Sequence, residues 1–253
     1  MSARVARTHP LKAVGAMAAA LGLSAVGAQN ASAQQQSASP LLQGLMRNDV
    51  RAARYATPDG AVRFVFDRSG GRAALVQFEG DPEVHVLRPV AGTRGDEIYR
   101  TEDGGVMLRV TPHGGITVYT RANRTGAPVS EVAAAAPIAP PRAAPQLYQA
   151  RMRQVQVGLA RAVGRPVAFE APAAVTGYEG LFLDAAERVA QGVAAVPEAG
   201  IRRVIIAAGP EPGVAVRGDT LLVVIAPQMG YAGRPSSSTV RAVLSGETAG
   251  PER

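Results

Sequence analysis

The stretch VMLRVTPHGGITV, residues 106–118, decides the fold of this chain. Apolar residues occupy every second position on both sides of the turn PHGG, residues 112–115. Because successive side chains of a β-strand point to opposite faces, this alternation predicts two strands with one buried face each. The proline and the two glycines favour a tight turn between them. The stretch therefore predicts a hairpin whose buried positions are Val106, Leu108, Val110, Ile116 and Val118.

The same alternation extends upstream through residues 55–121. Turn residues separate the runs, as in PDG at 58–60 and SGG at 69–71. The apolar positions of these runs are Val62, Phe64, Phe66, Val76, Phe78, Val84, Val86 and Ile98. Short strands joined by tight turns predict an antiparallel β-meander, which we assign to a β-rich domain over residues 51–121. Its one-sided apolar stripe favours a twisted sheet covered by helices, with a small closed barrel as the alternative.

The chain changes character after the meander. Residues 122–146 are rich in alanine and proline, which is typical of a linker. Residues 147–227 then form an α+β segment, beginning with two amphipathic helices over about 148–163 and 181–196. Strands are expected at 204–208, 214–217 and 220–226, with a two-residue hairpin at Gly218 and Asp219.

The unbroken apolar run at 221–225 predicts a central strand buried on both faces. Residues 228–253 lose all periodicity, so we expect a disordered tail. The predicted fold class is α+β: an antiparallel β-meander, two amphipathic helices and a short β-hairpin sheet.

The first 33 residues predict an export signal. Arg4, Arg7 and Lys12 precede an apolar run of about 15 residues, and Ala31-Ser32-Ala33 fits a signal-peptidase site. The run is shorter than the ~20 residues that a membrane-spanning helix needs, so we expect cleavage and no stable transmembrane span in the mature chain. The mature protein then begins at Gln34, with a flexible lead-in over residues 34–50, and is periplasmic or secreted.

Composition excludes several classes of protein. The chain has no cysteine, which excludes disulfides, thiol catalysis and a lipoprotein anchor. Beyond residue 33 it carries 24 arginines against 20 acidic residues, and only 4% of all residues are aromatic, without tryptophan. A mildly basic chain with so few aromatic side chains for base stacking is not expected to bind nucleic acid.

The sequence contains no motif that predicts catalysis. His85 lies at a polar position of its strand, and His113 lies in a turn. The serines at 236–238 fall in the expected tail, and the sequence contains neither G-x-S-x-G nor a glycine-rich phosphate loop. We therefore assign no catalytic, metal-binding or cofactor-binding residue, and expect no cofactor.

One basic segment is a candidate contact. Residues 132–169 contain several arginines and no acidic residue. A cationic helix face can contact an anionic surface, such as lipid, lipopolysaccharide or cell-wall polymer. The candidate residues for a weak contact of this kind are Arg151, Arg153, Arg161 and Arg165.

The run LRVTPHGGITVY at 108–119, which follows IYR at 98–100 and GGV at 104–106, resembles a known family. The family consists of uncharacterised exported proteins from high-GC Gram-negative bacteria and is classed as a domain of unknown function. The resemblance covers roughly residues 50–225. It implies export, and it implies no activity and no site residues.

Together these observations favour an exported envelope protein that acts as a non-enzymatic binding module, with an envelope protein or polymer as its partner. The alternative is a hydrolase acting on a cell-envelope polymer. That alternative requires a concave site where carboxylates or His113 converge.

Overall fold

The first half of the chain folds into a closed, eight-stranded antiparallel barrel in the computed structural model, which describes residues 52–173 and 175–247. The predicted signal and lead-in lie outside the described residues. Each strand pairs with the next along the chain, and β8 closes the barrel on β1. The strands are β1 (Ala52–Ala56), β2 (Arg63–Asp67), β3 (Ala74–Phe78), β4 (Val84–Ala91), β5 (Glu97–Arg100), β6 (Val106–Val110), β7 (Ile116–Val118) and β8 (Ala127–Ala134).

The predicted meander is confirmed, and Val110 pairs with Ile116 across the expected turn. The apolar stripe is buried by closure of the barrel, which was our alternative, and not by helices laid over an open sheet. Aromatic rings fill the interior, with Phe66 and Tyr99 5.0 Å apart in an edge-to-face contact. Val106 departs from the prediction and is 39% exposed, because an irregularity opposite Tyr99 and Arg100 shifts the register at the start of β6.

Strand β8 lies in the stretch for which we expected a linker. Its eight residues are mostly exposed, so they carry no period-two apolar signal. Ladder pairing with β1 and β7 holds the strand in place. The following residues are anchored too, since the Asp67 carboxylate accepts a hydrogen bond of 2.7 Å from the Ile138 backbone N–H.

The first half of strand β4, residues 84–87, is covered on both faces, and its last four residues are exposed. His85 pairs with Val76 of the barrel interior, so His85 and Leu87 share the inner face. Val84 and Val86 point outward and belong to the core of the second half. The prediction that His85 lies on a polar face is therefore wrong, because the second core covers the outer face of this strand.

The second half packs three helices against a four-stranded sheet of order β11-β12-β10-β9. Strands β9, β10 and β12 are parallel, and β11 and β12 form the predicted hairpin, with Gly218 at a φ of +60°. Two short 3₁₀ turns belong to this half, at Pro197–Ala199 and Pro227–Gly233, and a third lies in the barrel between β4 and β5, at Thr93–Gly95. The elements are α1 (Pro145–Val163), β9 (Ala168–Glu170), α2 (Glu179–Ala194), β10 (Arg203–Ala208), β11 (Gly213–Arg217), β12 (Thr220–Ile225) and α3 (Ser237–Ser245).

Strand β12 is central in its sheet, as expected, but it is fully covered on one face alone. Leu221, Val223 and Ile225 are buried in the helix-covered core. Leu222 and Val224 on the other face are half-buried. The expectation of burial on both faces is therefore wrong, because an apolar run does not specify how many layers cover it.

Helix α3 lies where we expected a disordered tail. The Ser236 hydroxyl caps it by accepting a hydrogen bond of 3.1 Å from the Thr239 backbone N–H. Val240 is buried against Gly192 of α2. The contact is so close that a side chain at position 192 would place its Cβ 2.6 Å from the Cβ of Val240. The described part of the expected tail, residues 228–247, is thus folded.

The barrel core generates a stability prediction. Phe64 is 3% exposed and its ring lies 5.7 Å from Tyr55, so we expect Phe64→Ala to lower the free energy of unfolding by about 3 to 5 kcal/mol. Arg63→Ala is the control: its side chain is 61% exposed and its ion pair with Glu79 is 4.0 Å long, so its effect is below about 1 kcal/mol. Urea unfolding measures both, and equal losses would contradict the assigned inner face.

Candidate functional site

The barrel and the second half meet around a buried guanidinium. Arg234 is 0% exposed and forms an ion pair with Asp184 of α2. Its Nη2 donates to the backbone oxygen of Val84 in the barrel at 3.0 Å, and its guanidinium lies 5.1 Å from the centre of the Tyr231 ring. One side chain therefore connects β4, α2 and the segment before α3.

Two carboxylates of the barrel hold the start of α3. Glu83 accepts hydrogen bonds from the backbone N–H and the hydroxyl of Ser237, at 2.9 and 2.5 Å. Glu102 accepts one from the Thr239 hydroxyl at 3.0 Å and a longer one from the Ser236 backbone N–H at 3.4 Å. Unpaired N–H groups and the helix dipole favour negative charge at this end of a helix. These bonds fix α3 against the barrel.

A groove of about 1110 Å³ lies between the barrel and α3, and we call it the barrel–α3 groove. Ser238 and Arg241 line it from the helix. Phe78, Met107 and Tyr119 contribute apolar surface from the barrel. The groove thus combines segments of the barrel and of α3 that are distant in sequence.

His85 lines this groove and is half-buried, with its ring 5.8 Å from that of Phe78. Burial lowers the pKa of His85 below its ordinary value of 6.5, although the nearby Glu83 and Asp81 carboxylates act in the opposite direction. The imidazole is therefore neutral at pH 7. A neutral imidazole can both accept and donate a hydrogen bond to a bound molecule.

The carboxylates at the groove are already engaged. Asp81 accepts a hydrogen bond of 2.8 Å from the Glu83 backbone N–H, and Asp103 accepts one from the Thr101 hydroxyl. Glu83 is bonded to Ser237. These groups therefore have reduced capacity to bind a cation or to activate water.

Several arginine side chains at the groove have fewer partners within the protein than the carboxylates have. Arg121 and Arg124 are exposed in the loop between β7 and β8, and neither side chain has an ion pair or hydrogen bond within the described ranges. The Nε of Arg241 is buried without an acceptor among the same residues. Arg100 also lines the groove and donates to the Gly104 backbone oxygen at 3.2 Å. The groove therefore presents guanidinium groups that no carboxylate of the described residues pairs with directly, those of Arg121 and Arg124.

The arginines predicted from sequence do not line this groove. Arg151, Arg153 and Arg161 are exposed on α1. Arg165 follows the helix, and its guanidinium donates to the backbone oxygens of Pro197 and Ile201, at 2.9 and 3.4 Å. Arg165 thus stabilises the fold through these two bonds, and the other three arginines are available to contact a partner. His113 is exposed in its turn and is not among the residues that line the groove.

Sequence reasoning missed the groove because its residues come from separate segments. The alternation of the strand predicts His85 on a polar face, and no sequence motif includes Arg121, Arg124 or Arg241. The one available signal for α3 was Ser236 followed by Val240 and Leu244 at helical spacing, which is a capped amphipathic turn.

Two other kinds of site are not formed by the residues that the structure describes. Within 52–173 and 175–247, no group of three or more histidine or acidic side chains could hold a metal ion. No helix in these ranges has the length and apolarity needed to cross a bilayer.

Glu102 generates a pH prediction. Burial raises the pKa of Glu102 above its ordinary value of 4.5, and the bonds from Thr239 and Ser236 reduce this effect. The folded protein therefore keeps this proton to a higher pH than the unfolded chain, so the stability it contributes is present below about pH 4.5 and is lost as pH rises through the folded-state pKa. We expect Glu102→Gln to remove this pH dependence. The free energy of unfolding of the variant, compared with that of wild type, should therefore increase from acidic to neutral pH.

Urea unfolding of both proteins over a pH series measures this difference. Glu79→Gln, on a 62% exposed side chain, is the control and should change little. A constant difference between wild type and Glu102→Gln at every pH would contradict the prediction.

Comparisons with known proteins give one match. Neither a curated protein nor a solved structure matches the chain. A family model described as a domain of unknown function (DUF4908) matches residues 16–244, which is most of the 253-residue chain and confirms the resemblance to a family of unknown function. The chain belongs to the DUF4908 family.

Proposed function

We propose that this protein is exported to the periplasm or cell envelope and acts there as a binding module, with the barrel–α3 groove as its ligand site. The ligand is anionic, an envelope polymer that carries carboxylate or phosphate groups. One observation carries this proposal: Arg121 and Arg124 at the groove have no ion-pair partner among the described residues, and Arg241 has a buried Nε without an acceptor. The carboxylates of Asp81 and Glu83 at the same groove already accept hydrogen bonds from the protein.

Guanidinium groups suit such a ligand because they bind carboxylate and phosphate with two parallel hydrogen bonds. Arg121 and Arg124 stand at the exposed rim, and Arg241 stands on the helix side. The apolar surface of Met107 and Tyr119 can contact the uncharged parts of a polymer. An open groove of this size accommodates a segment of a long chain.

Export is supported by the sequence of residues 1–33. We expect the protein released from cells by osmotic shock to begin at Gln34, as read by mass spectrometry of the N-terminal peptide. Ala31→Phe with Ala33→Phe should leave the uncleaved precursor, because signal peptidase requires small residues at these positions. An intact Met1 on a cytoplasmic wild-type protein would contradict export.

Binding in the groove is tested with two anionic probes, purified cell-wall sacculi and lipopolysaccharide aggregates. Arg121→Ser with Arg124→Ser should weaken binding to the true ligand by about tenfold at low salt, if each contact is worth about 0.7 kcal/mol. Arg202→Ser with Arg217→Ser removes the same charge from exposed positions outside the groove and is the control. Equal losses in the two double variants would show non-specific attraction. The two probes distinguish a wall polymer from a lipid-linked saccharide.

A hydrolase is the second candidate, because His85, Asp81 and Glu83 converge at one concave surface. His85 would be the acid–base group in that case. The same incubation with sacculi separates the two functions through release of soluble fragments. A binding module releases none. Fragments released by wild type and not by His85→Gln would make the enzyme the better description.

A further inference from the structure

The outer face of α1 combines exposed apolar and basic side chains. Leu147 is 54% exposed and Val157 is 47% exposed, although large apolar side chains are more often buried. Residues four apart are neighbours on a helix surface. Arg151 therefore lies beside Leu147, and Arg153 and Arg161 lie on either side of Val157.

This face is well separated from the packed face of the helix. Tyr148, Met152 and Leu159 are buried against the second core. Leu147 and Arg161 are two heptads apart, and Val157 is one turn before Arg161, so these three share the opposite half of the helix. The face is thus presented outward by a helix that is already anchored.

The charge of this face is of one sign. Helix α1, Pro145–Val163, contains three arginines and no acidic residue. None of the three is in an ion pair or side-chain hydrogen bond within the described ranges. Arg151 also lines a smaller groove of about 550 Å³ with Arg142 and Glu187, so Arg153 and Arg161 carry the argument.

We propose that the outer face of α1 docks on an anionic bilayer, with Arg153 and Arg161 at the acidic headgroups and Leu147 and Val157 at the boundary of the acyl chains. Amphipathic helices that lie in a membrane interface have this combination of arginine and large apolar residues. A polysaccharide would satisfy the arginines but would offer no apolar layer for Leu147 and Val157. The bilayer is therefore the partner that matches both properties.

This docking is independent of the proposed groove ligand, because the barrel–α3 groove is lined by none of the four residues that form the outer face of α1, Leu147, Arg153, Val157 and Arg161. Attraction of a few basic residues to an anionic surface contributes about fivefold in affinity for each one. The contact is consequently weak and reversible. It would hold the protein at a membrane surface without a spanning segment.

Co-sedimentation with vesicles tests the proposal. We expect wild type to bind phosphatidylcholine vesicles that contain phosphatidylglycerol, and to bind pure phosphatidylcholine vesicles at least tenfold less well. Binding should weaken as salt increases, because ions screen exposed charges. No difference between the two vesicles would overturn the proposal.

Two double variants test the two parts of the face. Arg153→Glu with Arg161→Glu should reduce binding to the anionic vesicles by more than tenfold. Leu147→Ser with Val157→Ser keeps the charge and should remove the binding that persists at high salt. Both pairs are on exposed positions, so the thermal unfolding midpoint should stay close to that of wild type, which confirms that the fold is retained.

Arg202→Glu with Arg217→Glu is the matched control, since it reverses two exposed charges outside α1. It should bind more strongly than Arg153→Glu with Arg161→Glu. Equal binding by these two variants would overturn the proposal, as would undiminished binding by the serine variant. Wild type that binds sacculi and not anionic vesicles would also overturn it, because the helix face would then contact a polymer.

Discussion

The rest of the structure depends on the buried charge of Arg234. A guanidinium without water around it is tolerated only when opposite charge and hydrogen-bond acceptors surround it. Asp184 of α2 supplies the opposite charge from within the second half, and the Val84 oxygen of β4 supplies an acceptor from the barrel, so the bond to Val84 forms only when the barrel is docked on the second half. Removal of one partner of such a pair costs about 3 to 5 kcal/mol, because the other charge remains buried. The bond to Val84 therefore favours this arrangement of the two halves, because a displaced barrel would leave the buried guanidinium with one acceptor fewer.

The candidate ligand site follows from that docking. Helix α3 forms one wall of the barrel–α3 groove, and it is held there by Glu83 and Glu102. These carboxylates keep their negative charge, but their oxygens are bonded to the helix, and neither Arg121 nor Arg124 forms an ion pair with them. The two carboxylates thus hold the helix that forms the groove wall, and under the proposed function the exposed Arg121 and Arg124 contact the ligand.

The sequence predicted the elements whose side chains repeat with a clear period. Phe64 and Phe66 identified an inward-facing strand, and the spacing of Tyr148 and Met152 identified α1. It failed where backbone pairing or distant assembly decides the structure. Strand β8 has small, exposed side chains and is held by ladder hydrogen bonds, so no apolar period reveals it. The two buried faces of β4 and the groove around His85 depend on how the halves dock, which no local pattern encodes.

Closure of the barrel by β8 has a consequence for how the protein opens. Six of its eight residues are exposed, so detaching this strand costs few apolar contacts. Among the described strands of the barrel, we expect the seam between β8 and its neighbours to open at a low cost in free energy, with early exchange of its amide hydrogens. An opened seam would leave β1 and β7 as bare sheet edges, able to pair with another copy of the chain. The barrel thus contains its own route to strand exchange, and slow aggregation would begin at this strand without unfolding of the second half.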